Sequence, residues 1–162
     1  MTSNHINPFF FWQSSSPFSN WHPSKFRDDS GNIFYNSEQY MMYKKALLFN
    51  DNLIAEEIIK CKSPKECKAL GRKVKNFDSE TWEAVSQEVV YQGCLYKFQQ
   101  NKVLKSYLMK SGNRLIVEAS PYDKYWGIGL NSYEARRIPM EEWPGKNWLG
   151  IVLMRVRDTL AE

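Results

Sequence analysis

Histidine is almost missing from this chain: His5 and His22 are the only two in 162 residues. A histidine-based triad or a multi-histidine metal site would consume nearly the whole supply, and His5 falls in a terminus expected to fray. His22 reads as a plain loop residue. Cysteine is scarce as well. Cys61, Cys67 and Cys94 are odd in number and lack C-x-x-C spacing, which excludes a disulfide framework and a zinc ribbon and predicts a reducing, cytoplasmic setting. Nothing approaches the ~20 apolar residues that span a bilayer, and Met1 to Phe11 has neither the basic start nor the apolar core of a signal peptide, so no membrane association is expected. The motifs G-x-x-x-x-G-K-[ST], G-x-G-x-x-G after a strand and H-E-x-x-H are all absent. Nucleotide hydrolysis by a Walker site is thereby excluded, and neither a cofactor nor a metal is expected.

What remains is an ordinary globular composition, 43% hydrophobic and 15% aromatic, in a length that suits one domain over residues 1–162. The net charge of +4 favours anionic, phosphate-bearing ligands but lacks the dense basic stripe of a dedicated DNA-binding domain. Ten of the 24 aromatics lie in the first forty residues, broken by Pro8, Pro17, Pro23 and Gly31, which predicts short strands at 9–12 and 32–35 among ordered loops. Asn36, with Gln39 three positions later, opens a helix over 37–49. Further helices follow at 51–61 behind Asp51, at 64–71 behind Ser63-Pro64, and at 79–100. In the last of these, Trp82, Val85, Val89, Val90, Cys94, Leu95 and Phe98 recur at mostly three and four, predicting one buried face. A fifth helix ends at Gly112, residues 115–117 form a strand, loops and short strands fill 120–145, and Asn147 caps a last helix over 148–160. The expected fold is α+β: a single, compact, predominantly helical domain with short strands.

Three stretches hold chemistry. Glu38 and Lys45, seven residues apart, return to one helical face about 10 Å apart along the axis, while Lys44 points elsewhere. On a plain reading Glu38 complements the helix N-terminus and the lysines are solvated. In Asp123 to Gly129, Trp126 beside Gly127 and Gly129 lets backbone approach a flat ring, and Asp123 is placed for ribose hydroxyls or positive charge; a tight turn around a core tryptophan is the alternative. Gly145 to Gly150 can present backbone N–H groups and Lys146 to a phosphate, or be no more than a capped helix.

In order, these segments resemble the YbiA/NADAR family of N-glycosidases across about 10–160. Ser16-Pro17-Phe18-Ser19-Asn20 is similar to its F-S-N loop, Ser37-Glu38-Gln39-Tyr40 with Lys45 to its S-E-x-Y helix, and Ala69-Leu70-Gly71-Arg72 to its G-R turn. Leu115-Ile116-Val117-Glu118, Asp123 and Trp126-Gly127-Ile128-Gly129 resemble its V-E to W-G-x-G stretch, and Gly145-Lys146-Asn147-Trp148-Leu149-Gly150 with Leu153, Met154 and Arg157 its closing helix. Gln39 departs from a frequent histidine, Tyr43-Lys44 replaces a small and a polar residue, and 130–143 is a longer insert. The resemblance implies hydrolysis of a ribose C1–nitrogen bond, either in phosphoribosylamino-pyrimidines of riboflavin biosynthesis or in ADP-ribose attached to guanine, ADP-ribosylated DNA included; a non-catalytic ADP-ribose-binding module is the alternative. Oxocarbenium character at C1 calls for a carboxylate, which Glu38 and Asp123 supply. A second route, attack by a neutral Lys45 to give a Schiff base, needs that lysine desolvated or beside another cation. The resemblance implies binding roles for Phe18, Asn20, Trp126, Gly127, Gly129 and Asn147, which are expected to converge with Glu38, Lys45 and Asp123 on one pocket, and phosphate contacts for Arg72 and Lys146.

Overall fold

A computed structural model describes residues 7–162, so His5 lies outside the described residues. The element order is β1 (Phe9–Phe11), β2 (Phe26–Arg27), β3 (Ile33–Phe34), α1 (Ser37–Leu48), α2 (Asn52–Lys60), α3 (Pro64–Gly71), α4 (Ser79–Gln100), α5 (Lys102–Lys110), β4 (Ile116–Glu118), α6 (Ser132–Ala135) and α7 (Trp148–Leu160). The fold is α+β and helix-dominated. Its contacts separate into two units, one of Asn20–Leu104 and one of the described residues up to Ser19 with Lys105–Glu162, so the boundary falls inside α5.

In the Asn20–Leu104 unit, α1 packs against α2, α3 and α4. Its start is set by Asn36, whose side-chain oxygen accepts the Gln39 N–H at 2.8 Å. Asp51, Ser63 and Asp78 cap α2, α3 and α4 in the same way. Close approach is paid for in side-chain volume on the partners: a Cβ at Gly71 would sit 2.1 Å from Met42 Sδ, and one at Gly93 would sit 2.5 Å from the Tyr40 ring. The antiparallel pair β2–β3 contributes Phe26 and Phe34, which pack with Tyr40 into an aromatic cluster flanked by Tyr43, Ile59, Val89 and Tyr96. β2 was not expected from the sequence.

The buried face of α4 agrees with the expected one in part. Val90, Cys94 and Phe98 are enclosed as expected, Trp82, Val85, Val89 and Leu95 are only partly covered, and Ser86, Gly93 and Lys97 are enclosed as well.

In the other unit, β1 and β4 pair in parallel with Phe10 opposite Val117. Val117, Ile128 and Ala135 form the core there, with Phe10, Leu115, Leu130 and Trp143 around them. No strand forms among residues 120–145, contrary to expectation: the segment holds α6, closed by a capping box between Asn131 and Glu134, and a short 3₁₀ turn at Met140–Glu142. Buried Arg157 of α7 donates to Ser111 Oγ and the Arg114 carbonyl, tying the last helix to the turn before β4.

Lys97 has no exposed surface, and burial pulls its ammonium from an ordinary 10.5 down to about 8. Between those values the unfolded chain binds the extra proton, so this group's contribution to stability increases with pH. The stability of the native protein relative to Lys97→Met is expected to rise by roughly 1 kcal/mol from pH 7 to 9 and to approach about 3 kcal/mol by pH 10.5. Urea unfolding of both proteins across that range checks it, and a flat difference contradicts it.

Candidate functional site

Within the Asn20–Leu104 unit, Asn20, Glu38, Lys45 and Arg72 belong to one electrostatic neighbourhood. Glu38 is the second residue of α1 and only 6% exposed. Its backbone N–H donates to the Asn20 carbonyl at 3.0 Å, and its carboxylate Oε1 accepts from the indole N–H of Trp21 at 3.3 Å. A helix N-terminus is a favourable place for a carboxylate, and burial there strengthens every interaction that the group makes.

Lys45 is half-buried two turns further on, with its ammonium 4.5 Å from the centre of the Phe77 ring. Burial holds its pKa below the ordinary lysine value; Arg72 lowers it further, and Glu38 pulls it the other way. The exposed Arg72 enters through the C-terminal end of α3. Lys44 lies instead over the Tyr40 ring, 5.9 Å from its centre. Beneath α1 lies a buried polar group: Cys94 Sγ is 4.0 Å from Asn20 Oδ1, and its thiol is pushed up to about 11 by burial. Cys67 of α3, also pushed up by burial, feels Glu38 as well.

The remaining sequence-predicted residues belong to the other unit, and most are structurally engaged. Asp123 Oδ1 accepts the backbone N–H groups of Tyr125 and Trp126, each at 2.9 Å, so this carboxylate closes an Asx turn. Trp126 is partly exposed and meets Trp148 edge to face at 5.5 Å. Gly127 is enclosed, and a Cβ there would lie 2.9 Å from that of Ser120; Gly129 has φ +76, where a side chain is strained. The Lys146 ammonium sits over Tyr125 and Trp148, 4.9 and 5.3 Å from the ring centres.

Asn147 occupies the N-cap position of α7 but makes no side-chain cap, because it is left-handed at φ 56 and its side chain turns to β4. Its Oδ1 accepts the Glu118 N–H at 3.0 Å and its Nδ2 donates to the Ile116 carbonyl at 2.9 Å. The amide thus imitates a neighbouring strand. Phe18 has no exposed surface and packs edge to face against Phe9, Phe11 and Tyr107. A cavity of about 550 Å³ beyond β1 is lined by Trp12, Gln13, Ser15, Ser16 and Asn131 among others, and none of the sequence-predicted site residues lines it.

Sequence reasoning missed Trp21 and Lys97. Trp21 directly follows Asn20 in the F-S-N loop, and Lys97 stands three residues after Cys94 on the buried face of α4, a register in which a lysine is conspicuous.

A NADAR domain profile matches residues 9–161. The chain belongs to the NADAR domain family. This NADAR protein is 43% identical over 145 residues to the N-glycosidase R617 of Acanthamoeba polyphaga mimivirus, covering 87% of this chain and 85% of that one. The NMR structure of YbiA from E. coli superposes with a TM-score of 0.77 at 28% identity, covering 99% of this chain and 90% of YbiA. A 28% match over 169 residues covers 98% of this chain and 25% of a maize riboflavin biosynthesis protein, PYRR. With relatives of this kind, the NADAR protein is an N-glycosidase, a hydrolase of N-glycosyl bonds.

Asn147→Ala in this NADAR protein orphans one donor and one acceptor beside β4. It is expected to cost about 2–4 kcal/mol, a fall in melting temperature of roughly 5–10 °C by calorimetry. An unchanged melting temperature would show that the clamp is not structural.

Proposed function

We propose that this NADAR protein hydrolyses the bond between ribose C1 and the amino nitrogen of phosphoribosylamino-pyrimidine intermediates of riboflavin biosynthesis. The observation that carries the reading is the setting of Lys45. An amine that attacks carbon must be neutral, and neutrality near pH 7 requires a lysine depressed by burial or by a neighbouring cation. Lys45 has both, in the side of the helix that it shares with Glu38. The likeness to PYRR and the basic pI of 8.9 favour a phosphorylated pyrimidine riboside.

The reaction then runs as follows. As the C1–N bond breaks, its electron pair leaves with the nitrogen, which takes a proton from solvent water, and the proton released when water later adds to the Schiff base returns to solvent. Glu38 opposes the positive charge growing at C1. The neutral Lys45 amine bonds to C1, and opening of the ribose ring gives a protonated Schiff base. Water adds to the imine carbon, and collapse releases the ribose phosphate and frees Lys45. Arg72, in the same unit as Glu38 and Lys45, is assigned to the phosphate.

Purified protein mixed with the phosphoribosylamino-pyrimidine is expected to release free base, with ADP-ribosylated guanosine as the comparison arm. Release only from the guanosine substrate moves the reading to ADP-ribose removal, and release from neither, with binding retained, makes the protein a binding module. Glu38→Gln is expected to lower turnover by roughly 10² or more with the fold intact. Borohydride added during turnover should trap an adduct that Lys45→Ala abolishes and Lys44→Ala leaves. A fully active Lys45→Ala protein without an adduct in the wild type would leave a mechanism carried by carboxylates alone.

A further inference from the structure

We infer that Trp21 is a positioning residue for Glu38, fixing the carboxylate through its indole N–H. This rests on the reading above that Glu38 acts in the reaction. Two consecutive residues grip Glu38 at two points: the Asn20 carbonyl takes its backbone N–H at 3.0 Å, and Trp21 Nε1 donates to Oε1 at 3.3 Å. The first contact fixes where the residue starts. The second fixes where its carboxylate ends, since three side-chain torsions lie between Cα and the oxygens.

The choice of donor has a chemical reason. Facing Glu38 are Lys45 from its own helix and Cys67 from α3, with Arg72 acting on Lys45 in turn. Lys45 cannot serve both purposes at once: a protonated ammonium steadies the carboxylate but does not attack carbon, and the free amine attacks carbon but brings no positive charge. An indole is a donor only, carries no charge and does not lose its proton at working pH, so it holds an ionised carboxylate whatever the state of the lysine. Trp21 is half-buried while Glu38 is 6% exposed, so this bond lies where little water competes with it.

The test compares Trp21→Phe, which keeps a ring but loses the donor, with benzothienylalanine at position 21, which keeps the bicyclic shape and replaces the N–H by sulfur. Each is assayed for kcat and KM on the riboside that the wild type turns over, with thermal melting alongside, and Trp21→Phe is combined with Glu38→Gln. The expected result is a fall in kcat of about tenfold or more with KM within about twofold and the melting temperature nearly unchanged. The double variant should be no slower than Glu38→Gln alone. If Glu38→Gln keeps full turnover, the reading of Glu38 itself has failed. If Glu38→Gln is slow but the benzothienylalanine protein keeps its kcat, or the two losses multiply, Trp21 does not position Glu38.

Discussion

One buried amide holds the start of α1 in place. Gln39 has no exposed surface, and its side chain is bonded at both ends. Oε1 accepts the Tyr35 N–H at 2.8 Å, and Nε2 donates to the Ile58 carbonyl at 2.9 Å and the Cys61 carbonyl at 2.6 Å. The carbonyls lie at the C-terminal end of α2, where the Ile58 oxygen also accepts the Cys61 N–H at 3.0 Å, and the donor belongs to the chain leaving β3. A single side chain thus stitches the strand exit, the first turn of α1 and the last turn of α2. Glu38 stands next to it and inherits that rigidity. An unsatisfied buried amide costs more than one bond returns, so the arrangement is all or nothing: partial loss would leave several polar groups stranded at once.

The second unit solves a related problem with different parts. A two-stranded parallel sheet leaves an edge on β4, and the side chain of Asn147 covers part of it with the donor and acceptor that a third strand would have offered. This works only if α7 starts very close to the strand. A Cβ at Gly150 would fall 2.0 Å from the Ile116 carbonyl oxygen, so glycine at that position is a steric requirement. The left-handed backbone of Asn147 belongs to the same device, since it swings the amide away from the helix it precedes and toward β4.

These two knots explain which parts of the fold were legible beforehand. Helix starts were readable because Asn36, Asp51, Ser63 and Asp78 act locally, through bonds to residues three positions on. The inner face of α4 was legible only in part: Val90, Cys94 and Phe98 are enclosed as their spacing predicts, but so are Ser86, Gly93 and Lys97, which no apolar pattern marks. β2 is two residues long, too short for any alternation to register. Among the candidate residues, the relation of Glu38 and Lys45 was legible because it is helical. Contacts made through tertiary structure were not: Phe18 packs among Phe9, Phe11 and Tyr107, Asn147 bonds to β4, and Trp21 touches Glu38 across 17 positions of sequence.

The electrostatics of Lys45 follow from the same economy of polar groups. Burial alone would lower its proton affinity, and Glu38 alone would restore it. With both present the net shift is downward and is set chiefly by burial, and the exposed Arg72 adds to it. Because Arg72 reaches the site from the solvent side, its influence is the one most open to an arriving anion. A phosphate that pairs with Arg72 would screen its charge and return Lys45 toward the ammonium, whereas a phosphate held by other groups would leave the amine free. Burial is the larger of the two influences that depress the lysine, so a phosphate pairing with Arg72 would remove only the smaller one and leave most of the depression in place.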